Sequence, residues 1–391
     1  MTTAISLAMA MNKLGFDNLP YGSIKKTDLR PPSVLLTAED DPNISYQVIR
    51  ELGAGSFGVV EEVLTPKKVD HAALKIFFTE GGKERAREID MLRRVKDAPH
   101  VIQFLENFKL SHLYYRNRRG ELCVNPNDNG IHSDAIMTRV IPCANIYEMY
   151  MKPLQDDEVN DLLAADLLKI GKQGLEALSY FHQHDILYLD VKPDNLIYYQ
   201  GALYFCDFGL SRLTDAIDFN KFVGTFQYRA PEQFFRMPYD GRVDVWALAV
   251  SIIEMYIGYP LLDVEGSERA EQTVVDFLHL LTIVIGPLGR EFARSVPSRF
   301  SHYLKEDGSI AIKPSKAGQA QIDCYTEVAK WGPPIAIWEK CIQIAADKKG
   351  DSPETVEKLI AFLEPMLRYQ FRHTSEEALK FFDPPTPEEK S

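Results

Sequence analysis

One stretch constrains the fold of this chain more than any other: Tyr188-Leu189-Asp190-Val191-Lys192-Pro193-Asp194-Asn195, in which charged side chains stand between apolar elements. Residues 162–182, before it, have helical periodicity. Two short apolar runs follow it, separated by Gln200-Gly201, and this pattern indicates a β-hairpin. The polar groups of a loop between apolar elements must find hydrogen-bond partners, and such a loop usually serves a functional site.

Four side chains in and after this loop have the chemistry of a site that handles phosphoryl groups and Mg²⁺. Asp190 can accept a hydroxyl proton, and Lys192 can neutralise negative charge on a phosphate. Asn195 and Asp207, which closes the second strand of the hairpin, offer the hard oxygen ligands that Mg²⁺ takes. An ordinary turn rich in Asp and Asn would explain Asp194-Asn195, but it would not explain the whole spaced set.

A glycine-rich turn, Gly53-Ala54-Gly55-Ser56-Phe57-Gly58, joins two β-branched runs. Alone the motif is weak, and three interpretations compete. A dinucleotide-binding fingerprint needs a helix directly after the third glycine, whereas residues 59–64 have the pattern of a strand. A strand–turn–strand flap whose backbone amides cover phosphates fits better, with Val60 packed against adenine. Only the residues that follow argue against a tight hairpin without a ligand.

The next strand carries a lysine between apolar neighbours, in Ala73-Leu74-Lys75. A strand lysine is usually an edge residue that faces water. Here a charged helix over about residues 84–95 follows, and it carries Glu88. A buried Lys75–Glu88 ion pair would hold the ammonium group against the α- and β-phosphates of a nucleotide. Glu84 is the alternative partner, but Glu88 has Leu92 one turn later, which favours an inward face.

In order and spacing, these motifs resemble the signature set of protein kinases: glycine-rich loop, strand lysine, helix glutamate, catalytic loop, Asp-Phe-Gly and Ala-Pro-Glu. The resemblance covers residues 46–383, nearly the whole chain. It implies an α+β, bilobal protein-kinase fold with a small β-rich N-lobe, which carries one regulatory helix, and a larger, mostly α-helical C-lobe. The corresponding division is an N-terminal extension (1–43), an N-lobe (44–140), a C-lobe (141–383) with an insertion at about 263–345, and a disordered tail (384–391).

The resemblance also assigns roles to single residues. It implies that Asp190 is the catalytic base, that Lys192 and Lys75 act on phosphates, and that Glu88 positions Lys75. ATP and Mg²⁺ would be bound together, with Asn195 and Asp207 as the metal ligands. The residues that it places at the nucleotide are Gly53, Gly55, Gly58, Val60, Lys75, Met137 at the gatekeeper position, Thr138 and Val140 of the hinge, and Asn145 at the ribose.

The activation segment of the family is matched at both ends, by Asp207-Phe208-Gly209 and by Gly224-Thr225-Phe226-Gln227-Tyr228-Arg229-Ala230-Pro231-Glu232. Thr225 is expected to hydrogen-bond Asp190 and Lys192, with ordinary turn capping as the alternative. The structural pairings that the resemblance implies are Glu232 with Arg372 and Asp244 with the catalytic-loop backbone.

Lys192-Pro193 and Gly224-Thr225 resemble serine/threonine kinases rather than tyrosine kinases. The resemblance thus implies transfer of the γ-phosphate of MgATP to Ser or Thr hydroxyls of protein substrates. Two further features resemble the group of cyclin-dependent, MAP and SR-protein kinases, and they imply membership of that group or a divergent relative of it. They are Tyr228-Arg229 and the insertion Phe277-Leu278-His279-Leu280-Leu281-Thr282-Ile283-Val284-Ile285-Gly286-Pro287. The alternative is an ATP-binding pseudokinase scaffold, but such proteins usually lack the lysine, the catalytic aspartate or the metal aspartate, and this chain has all three.

The chain departs from the family in its catalytic loop, where Tyr188-Leu189-Asp190 replaces the usual His-Arg-Asp. Leu189 removes the arginine that would bind an activation-loop phosphate. We therefore expect activity that does not strictly depend on phosphorylation of that loop. Loss of activity on phosphatase treatment, restored by rephosphorylation of Ser211, Thr214 or Thr225, would contradict this expectation.

Composition adds weaker expectations. The net charge of −12 argues against general affinity for nucleic acid, and it permits a preference for basic protein substrates, although solubility alone would explain it. No apolar run approaches the ~20 residues of a membrane-spanning helix, and the N-terminus lacks the basic residues of a secretory signal. Five cysteines without paired spacing favour a reducing compartment, cytoplasmic or alternatively nuclear. A monomer is compatible with the sequence.

Overall fold

The computed structural model of the chain describes residues 35–41, 44–55, 58–65, 71–78, 82–116, 122–125, 133–141, 145–151, 160–264, 270–330 and 335–383. These residues form two compact units. The sheet unit contains the described residues from 35 to 141 together with Tyr204–Ser211. The helical unit contains Asn145–Leu203 and the described residues from Arg212 to Asp383. The tail predicted at 384–391 and residues 1–34 of the predicted extension lie outside the described residues.

The sheet unit consists of short strands interrupted by one helix, α1 (Lys83–Arg94), as its sequence pattern predicts. Its strands are β1 (Leu35–Thr37), β2 (Ser45–Gly55), β3 (Gly58–Leu64), β4 (His71–Phe77), β5 (Phe104–Lys109), β6 (Tyr114–Arg116), β7 (Leu122–Val124) and β8 (Asp134–Arg139). Six of them form an antiparallel sheet in the order β1-β2-β3-β4-β8-β5, and β6 pairs with β7.

Strand β1 corrects the predicted N-terminal boundary, because it lies in the segment assigned to the extension. Leu36 pairs with Tyr46 at the start of β2, and the Leu36 side chain is fully buried. A strand of three residues is too short to show a period of two, so the sequence pattern missed it. Among the described residues, the sheet therefore already includes residue 35, within the segment 1–43 that the sequence assigned to the extension.

The register of β3, β4 and β8 fixes which side chains share a face of the sheet. Lys75 lies opposite Val60 on β3 and opposite Ile136 on β8, so these three side chains point the same way. Leu74 and Met137 also pair with each other, and both belong to the main hydrophobic cluster on the other face. The sheet thus has one face that carries Lys75 and one that is core.

The helical unit carries the helices α2 (Ala164–Gln183), α3 (Pro231–Phe234), α4 (Arg242–Ile257), α5 (Ala270–Val284), α6 (Gly289–Ser295), α7 (Lys316–Ala329), α8 (Ile337–Lys349), α9 (Pro353–Leu363) and α10 (Ser375–Leu379). Two short strands, β9 (Ile186–Leu187) and β12 (Arg212–Leu213), pair with each other. The predicted hairpin consists of β10 (Leu196–Tyr199) and β11 (Ala202–Phe205), and the division between the units falls within β11.

Helix α4 is the core of the helical unit, since every residue from Val243 to Ile257 is buried. A helix that is apolar on nearly all sides needs neighbours on all sides. Helix α2 approaches it closely through two glycines: an added Cβ would lie 2.5 Å from the Phe362 ring at Gly171 and 2.9 Å from Leu248 at Gly174. Larger residues there would push α2 away from α4 and α9.

Helices α5 to α7 occupy the region in which the sequence predicts an insertion. The buried Asp276 of α5 accepts hydrogen bonds from the backbone NH and the hydroxyl of Ser315, at 2.7 and 2.6 Å, and Ser315 caps α7. This contact fixes the start of α7 beside α5. Across the described ranges, no helix has the length and apolar character needed to cross a membrane.

Candidate active site

In the sheet unit, Lys75 forms the ion pair that the sequence predicts. Its Nζ lies 2.7 and 2.8 Å from the two carboxylate oxygens of Glu88, and 3.1 Å from Oδ1 of Asp207. Strand β4 supplies the lysine and α1 supplies the glutamate, whose side chain is only 5% exposed. The alternative partner, Glu84, has a side chain outside the described residues. One ammonium group is therefore held between two carboxylates.

These three charges change one another's pKa. Burial by itself lowers the pKa of Lys75, but the Asp207 and Glu88 carboxylates outweigh burial and raise it, so the ammonium stays charged. Burial raises the pKa of Glu88, and Lys75 opposes that shift. The ammonium group of Lys75 therefore keeps its positive charge in a largely desolvated site, and such a charge suits binding of a phosphate.

The Asp207-Phe208-Gly209 turn is held by its own backbone geometry and by α1. Asp207 has φ +59°, and its Oδ1 accepts from the backbone NH of Gly209 at 3.1 Å. Arg87 of α1 donates to the Gly209 carbonyl at 3.3 Å. A Cβ at Gly209 would lie 3.1 Å from Asp207 Oδ1 and 3.4 Å from Glu88, so the position favours glycine. Phe208 is fully buried. Sequence analysis missed Arg87, because an arginine on a charged helix gives no distinguishing signal.

The glycine-rich turn joins two strands, which excludes the dinucleotide-binding fingerprint. Gly55 pairs with Gly58, and Gly53 pairs with Val60. A Cβ at Gly58 would lie 2.1 Å from the Ile76 carbonyl oxygen, whereas a Cβ at Gly53 would meet no atom within 4 Å. The fold thus requires glycine at position 58, whereas Gly53 leaves open space on the Lys75 face. Ser56 and Phe57 at the tip lie outside the described residues.

The register of β8 disagrees with the expected orientation of Met137, the predicted gatekeeper. Met137 was expected to line the nucleotide, but its side chain points to the hydrophobic core with Leu74. Thr138 pairs with Ala73, two residues from Lys75, and therefore shares the face of Lys75. Sequence spacing located the strand, but a period of two requires the register before a face can be assigned.

In the helical unit, the catalytic-loop residues converge on Asp190, which is 8% exposed. Its Oδ1 accepts from the backbone NH and the hydroxyl of Thr225 at 3.0 and 2.7 Å. Its Oδ2 accepts from Asn195 Nδ2 at 2.7 Å and lies 3.5 Å from Lys192 Nζ. Lys192 also donates to the Thr225 hydroxyl at 2.9 Å. The expected contacts of Thr225 are confirmed, and the carboxylate has a fixed orientation.

Asp244 anchors the backbone of this loop, as predicted. Its two carboxylate oxygens accept from the backbone NH groups of Tyr188 and Leu189 at 2.9 and 2.7 Å. Leu189 has φ +67°, which costs free energy for a residue with a Cβ, so the anchor stabilises a strained turn. His182 of α2, which the sequence did not single out, contacts Asp244 at 3.0 Å and Ser375 of α10 at 3.0 Å.

The end of the activation segment is tied to the helical unit by two contacts. Arg372 donates to both oxygens of Glu232 at 2.6 and 3.2 Å, which confirms the predicted pair. The Tyr228 hydroxyl donates to the fully buried Glu254 of α4 at 2.6 Å, and burial raises the pKa of Glu254 to about 8. The sequence contained a signal for this contact, because a buried carboxyl group needs partners. Glu254 is the single carboxylate at the end of an otherwise largely apolar run, Ala247-Leu248-Ala249-Val250-Ser251-Ile252-Ile253-Glu254.

Two further residues were expected near a nucleotide. Val140 follows β8 and is partly buried, at the end of the Lys75-bearing sheet. Asn145, in the helical unit, uses its side-chain oxygen to accept from the Glu148 backbone NH at 2.9 Å, so it caps the π-helical turn Tyr147–Met151. Contact of Asn145 with a ribose stays a prediction.

Each unit, taken by itself, carries an oxygen donor of the kind that Mg²⁺ takes together with phosphates. The Nδ2 of Asn195 is fixed by Asp190, and no described group donates to Asn195 Oδ1, which is therefore oriented as a free acceptor. Asp207 supplies a half-exposed carboxylate in the other unit. Within the described ranges no group of three His, Cys, Asp or Glu residues could hold a metal alone. Such a sparse oxygen set suits Mg²⁺, which keeps water and phosphate ligands.

Comparison with known proteins identifies relatives of this chain. The family model described as the protein kinase domain matches residues 46–380. Serine/threonine-protein kinase TIO of Arabidopsis thaliana is 30% identical over 223 residues, 55% of this chain and 15% of that protein. TAO1-A of Xenopus laevis is 29% identical over 246 residues (60% and 21%), and human TAO3 is 28% identical over 245 residues (59% and 24%); both carry the same description. The matches thus span about a quarter or less of each relative.

Proposed function

Because this chain belongs to the protein kinase domain family, we propose that it transfers the γ-phosphoryl group of MgATP to serine or threonine hydroxyls of proteins. The observation that carries the proposal is the cluster around Asp190, in which Thr225, Asn195 and Lys192 fix one carboxylate. The relatives described as serine/threonine kinases support the same acceptor class.

The helical unit would act on the acceptor hydroxyl. Asp190 would accept its proton as the hydroxyl oxygen attacks the γ-phosphorus. Lys192 would neutralise charge that develops on the transferred group, and the Thr225 hydroxyl keeps Asp190 and Lys192 in place. Phosphoryl transfer relies mainly on positioning and charge stabilisation, and these contacts supply both.

The sheet unit would bind the nucleotide. Lys75, held by Glu88, would contact its α- and β-phosphates, and the backbone of the Gly53–Gly58 turn would cover them. Val60 and Thr138 lie on the Lys75 face and would contact adenine, with the backbone of Thr138 to Val140 as its hydrogen-bonding edge. Mg²⁺, held by Asn195 and Asp207 with the phosphates, would neutralise the charge of the triphosphate.

A labelled-ATP assay with Mg²⁺ and a generic protein substrate tests this proposal. We expect phosphoserine and phosphothreonine in the product, and Asp190→Asn should lower kcat by about 10² to 10⁴, the scale of a general base. A matched control is Asp185→Asn, because Asp185 lies in the turn after α2 and its side chain makes no described contact with the Asp190 cluster. Equal activity of wild type and Asp190→Asn, or none in wild type with MgATP bound, would favour the pseudokinase alternative.

Three more specific proposals concern the kinase group, the preferred substrates and the cellular location. Placement near the cyclin-dependent, MAP and SR-protein kinases is supported by Tyr228-Arg229 and by helices α5 to α7, and a phylogeny of the insertion would test it. Preference for basic substrates is supported by the net charge of −12, and peptide-array profiling would test it. A cytoplasmic or nuclear location, supported by the unpaired cysteine spacing, would be tested by imaging of the tagged full chain.

A further inference from the structure

Three arginines gather beside the activation segment of the helical unit. Arg229 follows the Thr225–Tyr228 stretch, Arg236 follows α3, and Arg299 comes from the 3₁₀ helix Ser298–Tyr303. Asn220 connects two of them: its carbonyl accepts from Arg236, and its Oδ1 accepts from Arg299 at 3.0 Å. Two neighbouring arginines of one segment and a third from a segment about 60 residues later thus bring their guanidinium groups to one place.

All the hydrogen bonds that these guanidinium groups make in the described structure go to neutral oxygens. Arg229 donates to the carbonyls of Val223 and Gly224, at 3.1 and 2.6 Å. Arg236 and Arg299 donate only to Asn220. None of the three forms an ion pair within the described ranges, and the nearby Asp218 pairs with Lys221 at 3.6 Å instead. The cluster is therefore an excess of positive charge on a chain whose net charge is −12.

The guanidinium groups of the cluster repel one another, and the charges of Asp190 and Asp218 oppose part of this effect on the pKa values of Arg229 and Arg236. Burial, followed by the charge of Arg236, lowers the pKa of Arg229 to about 10. Burial and the charge of Arg299 likewise lower the pKa of Arg236. The Phe222 ring offsets part of this by stacking, with Arg236 at 3.5 Å and Arg229 at 4.8 Å from its centroid. Each guanidinium group presents a fork of N–H donors, and those donors that remain unused suit phosphate oxygens.

The cluster lies next to the residues that hold Asp190. Arg229 grips Gly224, and the next residue, Thr225, donates to the Asp190 carboxylate. Asp190 is close enough for its charge to raise the pKa of Arg229. An anion bound by the cluster would therefore lie within a few residues of an acceptor hydroxyl at Asp190.

We propose that Arg229, Arg236 and Arg299 form a binding site for a phosphate monoester dianion carried by a protein segment. The proposal rests on the kinase function proposed above and specifies its substrate class: proteins that already carry a phosphate near the acceptor. The same chemistry is offered by a phosphorylated residue of this chain itself, and the experiment separates the two sources. Leu189 stands where the family has an arginine, so this position of the catalytic loop adds no guanidinium group to the site.

The test uses full-length, phosphatase-treated protein and two peptide sets. Acceptor peptides carry phosphoserine, serine or glutamate at each position within four residues of the acceptor serine, and KM and kcat are measured for each. Non-acceptor versions, with alanine at the acceptor, report binding by fluorescence anisotropy without ATP. We expect phosphoserine at one position to lower KM and the peptide Kd by about tenfold or more, the scale of a charge-assisted hydrogen bond.

The variant is Arg236→Gln/Arg299→Gln, because the described hydrogen bonds of these side chains go only to Asn220 and both lie outside the proposed catalytic groups. It should lose the tenfold gain while it keeps kcat/KM for the unphosphorylated peptide and an unchanged melting temperature. Arg294→Gln is the matched control, an exposed arginine of α6 that makes no described ion pair. It should retain the gain, and Arg299→Lys should retain part of it.

Two outcomes identify the source of the phosphate. A preference shown by phosphatase-treated protein assigns the site to a substrate phosphate. If that preference is absent, the effect of autophosphorylation on the melting temperature decides the source. A rise that phosphatase removes and that Arg236→Gln/Arg299→Gln lacks assigns the site to the chain's own phosphate.

Absence of both effects, or a preference unchanged in the double variant, overturns the proposal. If wild type phosphorylates no peptide, the kinase function fails, and anisotropy alone decides whether the site binds phosphoserine.

Discussion

At the scale of the residue, Thr225 shows how one hydroxyl orders the candidate catalytic groups. It donates to Asp190 Oδ1 and accepts from Lys192 Nζ, while its backbone NH binds the same carboxylate. A residue that joins base and cation through one oxygen controls the distance between them. The resemblance to serine/threonine kinases predicted both contacts, with ordinary turn capping as the alternative.

Replacing Thr225 by valine removes this hydroxyl and keeps the shape of the side chain. We expect kcat to fall by about tenfold, since the two charged groups lose a shared hydrogen bond while the backbone NH still holds Asp190. Thr225→Ser retains the hydroxyl and should stay near wild type. Steady-state kinetics with a peptide substrate measure both variants. Equal losses for Val and Ser would show that the methyl group, rather than the hydroxyl, matters.

At the scale of the element, the pairing of β4 with β8 decides which residues face a nucleotide. Sequence spacing predicted the strand, but it placed Met137 on the wrong face, because neighbouring residues of a strand alternate. The register puts Thr138 beside Ala73 and on the side of Lys75. In the same way, the contact of Glu254 on α4 with Tyr228 depends on how the activation segment packs.

The same bulky substitution at two neighbouring positions of β8 tests this register. Thr138→Phe should weaken ATP affinity by about tenfold or more, because the ring would fill space on the Lys75 face, and the melting temperature should change little. Met137→Phe should overpack the core and cost about 1–3 kcal/mol of stability, with ATP affinity kept. Nucleotide titration and thermal unfolding measure the two effects. The reverse pattern would restore Met137 to the nucleotide face.

Glu254 of α4 predicts a dependence of stability on pH. Its pKa is about 8 in the fold and ~4.3 in an unfolded chain, so the folded state keeps a proton that the unfolded state releases. The stabilising contribution is full below ~4.3 and is lost as the pH rises toward 8. Glu254→Gln mimics the protonated form and should gain stability relative to wild type by at most ~1.4 kcal/mol per pH unit across this window.

Thermal or urea unfolding of wild type and Glu254→Gln between pH 5 and pH 8.5 measures this difference. Glu357→Gln, on the exposed face of α9, is the control and should follow wild type at every pH. A difference between wild type and Glu254→Gln that does not change with pH would show that Glu254 is ionised in the fold.

At the scale of the whole molecule, MgATP should stabilise the fold by linkage. At a concentration 100 times Kd the gain is about 2.7 kcal/mol, which differential scanning fluorimetry detects as a higher melting temperature. Lys75→Met should lose most of this shift, because the ammonium that would contact the phosphates is gone. The apo variant should still fold, since burial raises the pKa of Glu88 and lets it hold a proton. An undiminished shift in Lys75→Met would remove Lys75 from the nucleotide site.

The sequence by itself determined the chemistry of this protein: which carboxylates, cations and amides are available, and the order of strands and helices that carry them. It did so because spaced polar residues between apolar elements have few alternative explanations, as at Asp190, Asn195 and Asp207. The tertiary structure alone decided which face each strand residue occupies and which distant groups meet. The Arg229, Arg236 and Arg299 cluster belongs to the second kind, because only packing brings Arg299 to the segment that carries Arg229 and Arg236.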